Sequence, residues 1–348
     1  MYHAESMSIL RIRRYVALCA SIISVLLRGR VLVLLLLVFL LLGPTMVIVR
    51  QLAGSIDRDP PLYLFYAPAV LPLAQYHAFL FMGGFPMMVP PALAAFYHSG
   101  DISSGLGLNG LDEVYRVLVA LLMLLLGANV LPQNAAVYTS IFTAPVRKTT
   151  LYLLHAVVLL LVCLVLFGLA FLANAAAVRF VGGADPQDLR LLFNFHVLVA
   201  LYGGVFASLG MAAAALFRRR ALALLVGMAA VILVIAVIPN VQSALELSYR
   251  ETHDFELRVA GLTGVYPSDP LYRAIHALTL APSDAYTYSM FYMRYDVMYP
   301  DSGLCPYCKP GETRWVLVNR ARFSLAATSL GLLALGAVAF SRKEATST

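Results

Sequence analysis

The sequence predicts an all-α polytopic membrane protein: a bundle of six transmembrane helices, an amphipathic helix at the N-terminus, and a small extracytoplasmic domain before the last helix. Three observations carry this expectation. Of 348 residues, 61% are hydrophobic and 12% are charged, against about 45–50% and about 25% in soluble domains. Mean hydropathy is +0.82. The apolar residues also gather into runs long enough to cross a bilayer, which takes about 20 residues per helix. A water-soluble enzyme, a disordered chain, a coiled coil and a secreted disulfide scaffold are thereby excluded. The net charge of +7 does not indicate nucleic acid, because the basic residues sit at the ends of apolar runs and form no patch. The N-terminus has no A-x-A-like site, so no cleavable signal peptide is expected.

The elements follow in order. Residues 8–30, SILRIRRYVALCASIISVLLRGR, hold arginines at both ends of an apolar stretch, and read as an interfacial amphipathic helix. The first span is 31–49, VLVLLLLVFLLLGPTMVIV. Further spans are expected at 117–133, 151–176, 191–216, 221–239 and 323–340, all free of Asp, Glu, Lys and Arg apart from flanking positions. Residues 66–97 are apolar enough to enter the bilayer, yet they hold five prolines and the Gly83-Gly84 pair. One straight helix is therefore excluded, and an outer re-entrant or interfacial segment is expected within the outer connection 50–113. Residues 134–150 form an inner loop with a short helix before Pro145. Residues 240–316 are the large hydrophilic insertion, with half of the acidic residues and nine tyrosines. The organisation is thus a 1–30 amphipathic element, spans one to five over 31–239, the insertion 240–316, and the last span with its tail over 317–348.

Sidedness follows from the charges flanking the spans. With both termini cytoplasmic, the inner side holds 12 basic and two acidic residues and the outer side 13 basic and 16 acidic residues. Arg218, Arg219 and Arg220 form the short inner turn between spans four and five. Arg320 and Arg322, at the outer end of the last span, are the exceptions.

Several chemistries are missing. The chain has no G-x-x-x-x-G-K-[ST] and no Gly-Lys dipeptide, so it builds no phosphate cradle. The spans hold only His155 and His196 as candidate proton carriers; without an intramembrane carboxylate to pair with, each reads as a polar packing residue. No Ser/His/Asp or HExxH arrangement marks a catalytic site. The chain is therefore expected not to be an enzyme, and energy for transport must come from another chain.

Three segments resemble the ABC-2 type permeases, the membrane subunits of ABC exporters. In 124–155, Gly127-Ala128-Asn129 and Pro145-Val146-Arg147-Lys148 resemble the family's second span and first inner loop. In 205–225, VFASLGMAAAALFRRRALALL resembles span four ending in a basic tripeptide. In 265–279, VYPSDPLYRAIHALT is similar to the stretch before the last span in the membrane subunit of nitrous-oxide reductase maturation exporters. The 8–30 element looks like the family's elbow helix. The chain departs from the family at LPQNAAVYT, where an acidic G-E-x-E-x-G-T is usual, and in its longer outer insertions.

The resemblance implies a permease that binds no ATP itself and partners a separate ABC ATPase. It implies a homodimer, or a pair with a related permease, in the cell membrane, with no nucleic acid. Loop 134–150 becomes the coupling element, with Tyr138, Ile141 and Phe142 on one face of a short helix, and Pro145, Arg147 and Lys148 at the turn into span three. Ala326, Ala327, Gly331, Ala334 and Gly336 are small residues suited to close helix packing, between copies or within one. The alternatives are an ATPase-driven membrane scaffold or mechanotransducer, and a secondary transporter.

The insertion carries Cys305-Pro306-Tyr307-Cys308. A local disulfide is favoured in an oxidising outer compartment. A metal site through Cys305 and Cys308 needs further ligands, and a thioredoxin-like redox pair needs a βαβ context. Met290, Met293 and Met298 lie among tyrosines nearby; thioethers suit Cu(I), and a Met/Tyr packing face is the simpler reading.

Overall fold

The computed structural model describes residues 16, 19–20, 22–24, 29–52, 111–131, 148–181, 186–217, 219–238, 241, 281–283, 285–286, 289 and 314–342. Among these, all regular structure is helical and no strand occurs. The main helices are α1 Arg30–Leu52, α2 Leu111–Val130, α3 Lys148–Phe180, α4 Pro186–Leu216, α5 Arg220–Ile232 with a π turn at Leu233–Val237, and α6 Arg314–Arg342. Four helices, α3 to α6, are long and apolar enough to cross a membrane. The shorter apolar stretches Leu32–Ile48 and Arg116–Val130 lie in α1 and α2. The 33 residues of α3 make a rod of about 50 Å at 1.5 Å per residue, longer than the hydrocarbon core of about 30 Å.

Side chains explain why the rods assemble. Apolar residues occur all round α3, and its outward row, Leu153, Val157, Leu160, Leu164 and Leu172, is exposed. That is the pattern of a helix facing lipid on one side. Within a bilayer, apolar side chains gain little by leaving lipid, so association relies on close packing and interhelical hydrogen bonds. Helix α4 has the residues for both. Of its membrane window 67% is buried, against 17% for α5 and for α6, and it packs against α2, α3, α5 and α6.

Glycines bring the backbones together. A Cβ at Gly127 of α2 would overlap the Ala207 carbonyl of α4, and one at Gly210 of α4 would overlap the Leu124 carbonyl of α2. Along α4 and α6 the contacts are polar. The Ser208 and Ser329 hydroxyls lie 2.7 Å apart, and Ser329 also donates to the Gly204 carbonyl at 3.2 Å.

The order of contacts fixes helix directions. Residue numbers rise together for Phe39–Phe167 and Gly43–Asn174, so α1 and α3 are parallel. They rise together for Arg116–Tyr202 and Leu124–Gly210 (α2, α4), and for Asn194–Arg322 and Ala212–Gly336 (α4, α6). They run oppositely for Phe167–Gly203 and Asn174–His196 (α3, α4). Helix α5 starts just after α4 ends and places Gly227 on Leu124, in the last third of α2. Hence α2, α4 and α6 run one way, and α1, α3 and α5 the other. One face of the bundle, the Arg219 face, carries the starts of α1, α3 and α5 and the ends of the rest. The opposite, Arg116 face carries the end of α1 and the start of α2.

The expectation for 66–97 falls outside the described residues, as do most of the N-terminal amphipathic segment and most of 240–316. The expected spans fall within or overlap helices, but several helices start earlier: α6 begins at Arg314 rather than near 323, which brings Arg320 and Arg322 into it. Helix α2 begins at Leu111 rather than near 117, which brings Arg116 into the helix and buries it.

Candidate functional site

On the Arg219 face, Leu131 follows the end of α2 and Lys148 opens α3. Lys148 is half-buried at the helix start. The other residues assigned to coupling, Tyr138, Ile141, Phe142, Pro145 and Arg147, lie outside the described residues. Asn129, the last residue but one of α2, donates from Nδ2 to the Leu125 carbonyl of its own helix at 2.7 Å. The neighbouring turn is short: Phe217 still bonds back to Ala213, and Arg219 is extended (φ −97°, ψ 123°) before α5 begins. Arg219, Arg220 and, at the end of α6, Arg342 are exposed on this face.

Also on this face, Tyr152 in the second turn of α3 is fully buried. Its ring lies 5.7 Å from that of Phe340 on α6. Its hydroxyl occupies the place that a Cβ of Gly336 would take, with the Ala212 backbone of α4 beside it. The tyrosine thus touches two helices that end on this face.

Inside the bundle, three helices meet at a polar knot. Gly43 of α1 leaves room for Asn174 Oδ1 of α3, where any Cβ would overlap it. Asn174 Nδ2 lies 2.9 Å from His196 Nε2 of α4. His196 Nδ1 lies 2.8 Å from the Leu192 carbonyl. A carbonyl only accepts, so Nδ1 carries the proton and, in the neutral ring, Nε2 accepts from Asn174. Phe171 and Phe195 meet the imidazole edge-on at 5.6 and 5.0 Å. His155 Nδ1 likewise donates to the Leu151 carbonyl at 2.7 Å. Both histidines are therefore hydrogen-bonded inside the bundle, without a carboxylate in these contacts.

Towards the Arg116 face, the Tyr202 hydroxyl donates to the Arg116 carbonyl at 3.1 Å, and Arg116 Nη1 reaches Ser283 Oγ at 3.4 Å. The Tyr202 and Tyr286 rings are 4.7 Å apart. Part of the 240–316 insertion is thus seated on α2 and α4. Arg322, one of the two exceptions to the charge rule, donates from Nη2 to Asn194 Oδ1 at 2.8 Å and to its carbonyl at 3.3 Å. Cys305 and Cys308 lie outside the described residues. Among the described residues, no three His, Cys, Asp or Glu side chains converge on a point.

The small residues of the last helix divide. Gly336 packs against Tyr152 inside the protein, whereas Ala327, Gly331 and Ala334 are exposed and Ala326 is half-buried. Sequence reasoning did not single out Asn174, Ser208, Ser329 or Tyr152. A polar or glycine residue inside a charge-free run was the available signal, since such residues in membrane helices face other helices.

No family model, no curated protein and no solved structure matches the chain.

Proposed function

We propose that the chain is the membrane-spanning permease subunit of an ABC-type exporter, driven by a separate ATPase. All six helices cross the bilayer, both termini are cytoplasmic, and the Arg219 face is the cytoplasmic face. The single observation that carries this reading is the alternation of helix directions. It sets the end of α2, the start of α3, the end of α4 and the start of α5 on one face, as docking of a soluble ATPase requires. The likeness of Gly127-Ala128-Asn129, Pro145-Val146-Arg147-Lys148 and Arg218-Arg219-Arg220 to the ABC-2 pattern supplies the chemistry that geometry alone does not.

Tyr138, Ile141 and Phe142 are the apolar anchors for the ATPase, and Pro145, Arg147 and Lys148 turn the chain into α3. Closure of the ATPases around ATP moves this loop, and α3 carries the movement into the bundle. Two copies pair across exposed faces of the outer helices; the exposed small residues of α6 permit a close approach there. The apolar helix faces suit an amphipathic, lipid-like or peptide cargo better than a small ion.

The test is purification from source membranes in mild detergent. The wild type retains a soluble ATP-hydrolysing subunit, and the double variant Ile141→Asp, Phe142→Asp inserts but loses it. Retention by the double variant would refute the docking assignment, and a wild type without any ATPase would refute the reading.

A further inference from the structure

We propose that Tyr152 is the positioning residue that ties the cytoplasmic end of α3 to α6 and α4, through the fit of its ring and hydroxyl into the notch at Gly336. The inference rests on the ATPase-coupled reading for its function, though its geometry stands apart from it. Tyr152 sits one turn beyond Lys148, where α3 emerges from the docking loop. It is 0% exposed. Its hydroxyl has no hydrogen-bond partner among the described residues, and a buried hydroxyl without a partner costs free energy. A phenylalanine there would avoid that cost. The hydroxyl is instead matched in shape: a Gly336 Cβ would overlap it, and would lie 2.9 Å from Tyr152 Cζ and 3.1 Å from Ala212 Cα. Phe340, one turn on from Gly336, lies against the ring.

A displacement of the α3 terminus therefore reaches α6 and α4 through one rigid aromatic side chain. The exposed leucines of α3 that face lipid provide no such path. Because the fit is steric, it can be broken from either side and partly repaired. Gly336→Ala evicts the Tyr152 ring from the notch. Adding Tyr152→Phe removes the hydroxyl, the atom of worst overlap; Cζ and the Ala212 backbone still crowd the new methyl, so the ring returns part of the way.

The test uses the complex of the full chain with the ATPase that co-purifies with wild type. Three quantities are read: ATPase retained, melting temperature, and ATP hydrolysis per retained ATPase. Gly336→Ala keeps the ATPase but lowers permease-dependent hydrolysis about tenfold, within the range for residues that transmit coupling. Tyr152→Phe alone stays within about twofold of wild type, and Tyr152→Phe, Gly336→Ala recovers part of the loss, to about threefold above Gly336→Ala. Unchanged hydrolysis per retained ATPase in Gly336→Ala, or a double variant no better than Gly336→Ala, overturns the proposal. A merely structural role would change retention and melting together and leave hydrolysis per retained ATPase unchanged. A second measurement needs no ATPase. Spin labels at Thr150→Cys and Ser341→Cys, with Cys19, Cys305 and Cys308 changed to Ser, report the distance between α3 and α6 in liposomes. A single narrow distribution that broadens in Gly336→Ala and narrows again in the double variant supports the tie; identical distributions in all three overturn it. Should wild type retain no ATPase, the permease reading fails and the distances alone decide the tie.

Discussion

Replacing single glycines by alanine separates helix contact from helix propensity, and the structure gives opposite signs at different positions. Alanine is favoured over glycine in a helix interior by about 0.8–1.0 kcal/mol. At Gly168 nothing lies within 4 Å of an added Cβ, so Gly168→Ala is expected to be neutral or stabilising. At Gly127 the new methyl would overlap the Ala207 carbonyl oxygen and lie 2.8 Å from its carbon. At Gly210 it would overlap the Leu124 carbonyl oxygen and lie 2.8 Å from the Ala128 nitrogen. These obstacles are backbone atoms, which cannot rotate aside, so α2 and α4 must move apart. Such overpacking costs about 1–3 kcal/mol. After the propensity gain, each variant loses up to about 2 kcal/mol, or up to about 3 °C in melting temperature for a chain of this length. The two glycines serve one contact, so the double variant loses less than the sum of the two. Melting in one detergent, followed by size-exclusion chromatography after heating, reads the series. If Gly127→Ala and Gly210→Ala melt with Gly168→Ala, the close approach of α2 and α4 is wrong.

Three further outcomes are expected. Asn174→Leu or His196→Phe alone leaves a buried polar partner, costing about 1–3 kcal/mol each; a double variant that loses less than the sum, measured as melting temperature, identifies the pair. Ser208→Ala and Ser329→Ala each cost about 0.6 kcal/mol, the usual size of a hydrogen bond between membrane helices, so a loss beyond about 2 kcal/mol in the same melting assay would mean a larger role for the α4–α6 seam. Arg116→Ala loosens the 281–289 segment from the bundle, and limited proteolysis of the insertion should quicken several-fold while the membrane helices stay intact; an unchanged cleavage rate would contradict that seating.

Helix positions were legible because a charge-free apolar run has few other ways to fold in a bilayer. Arg116 shows the limit: a charge usually ends a span, yet here the helix continues outward by another turn and the guanidinium reaches Ser283, far along the sequence. Hydropathy also treats Gly43, Gly127, Gly210 and Gly336 as neutral spacers. Their significance is what lies opposite, and that depends on helix direction and rotation, which no periodicity in these nearly uniform runs records. The division of the α6 small residues has the same cause: Gly336 and Gly331 differ only in which way they face. The resemblance pointed to Gly127-Ala128-Asn129 as a motif, and within the fold Gly127 is a helix–helix contact and Asn129 bonds back to its own helix. Of the candidate coupling residues, only Lys148 is among those described.

The central claim is that the face bearing Arg219 and the loop before Lys148 is cytoplasmic and therefore open to a soluble ATPase. Cysteines introduced one at a time at Gly182→Cys and Arg219→Cys, with Cys19, Cys305 and Cys308 changed to Ser and the buried Cys163 kept, test it through labelling of intact cells by an impermeant thiol reagent. The account predicts that the reagent reaches position 182 and leaves 219 unlabelled until the membrane is opened. Labelling of 219 and protection of 182 in intact cells would contradict it, and with it the docking role of Ile141 and Phe142.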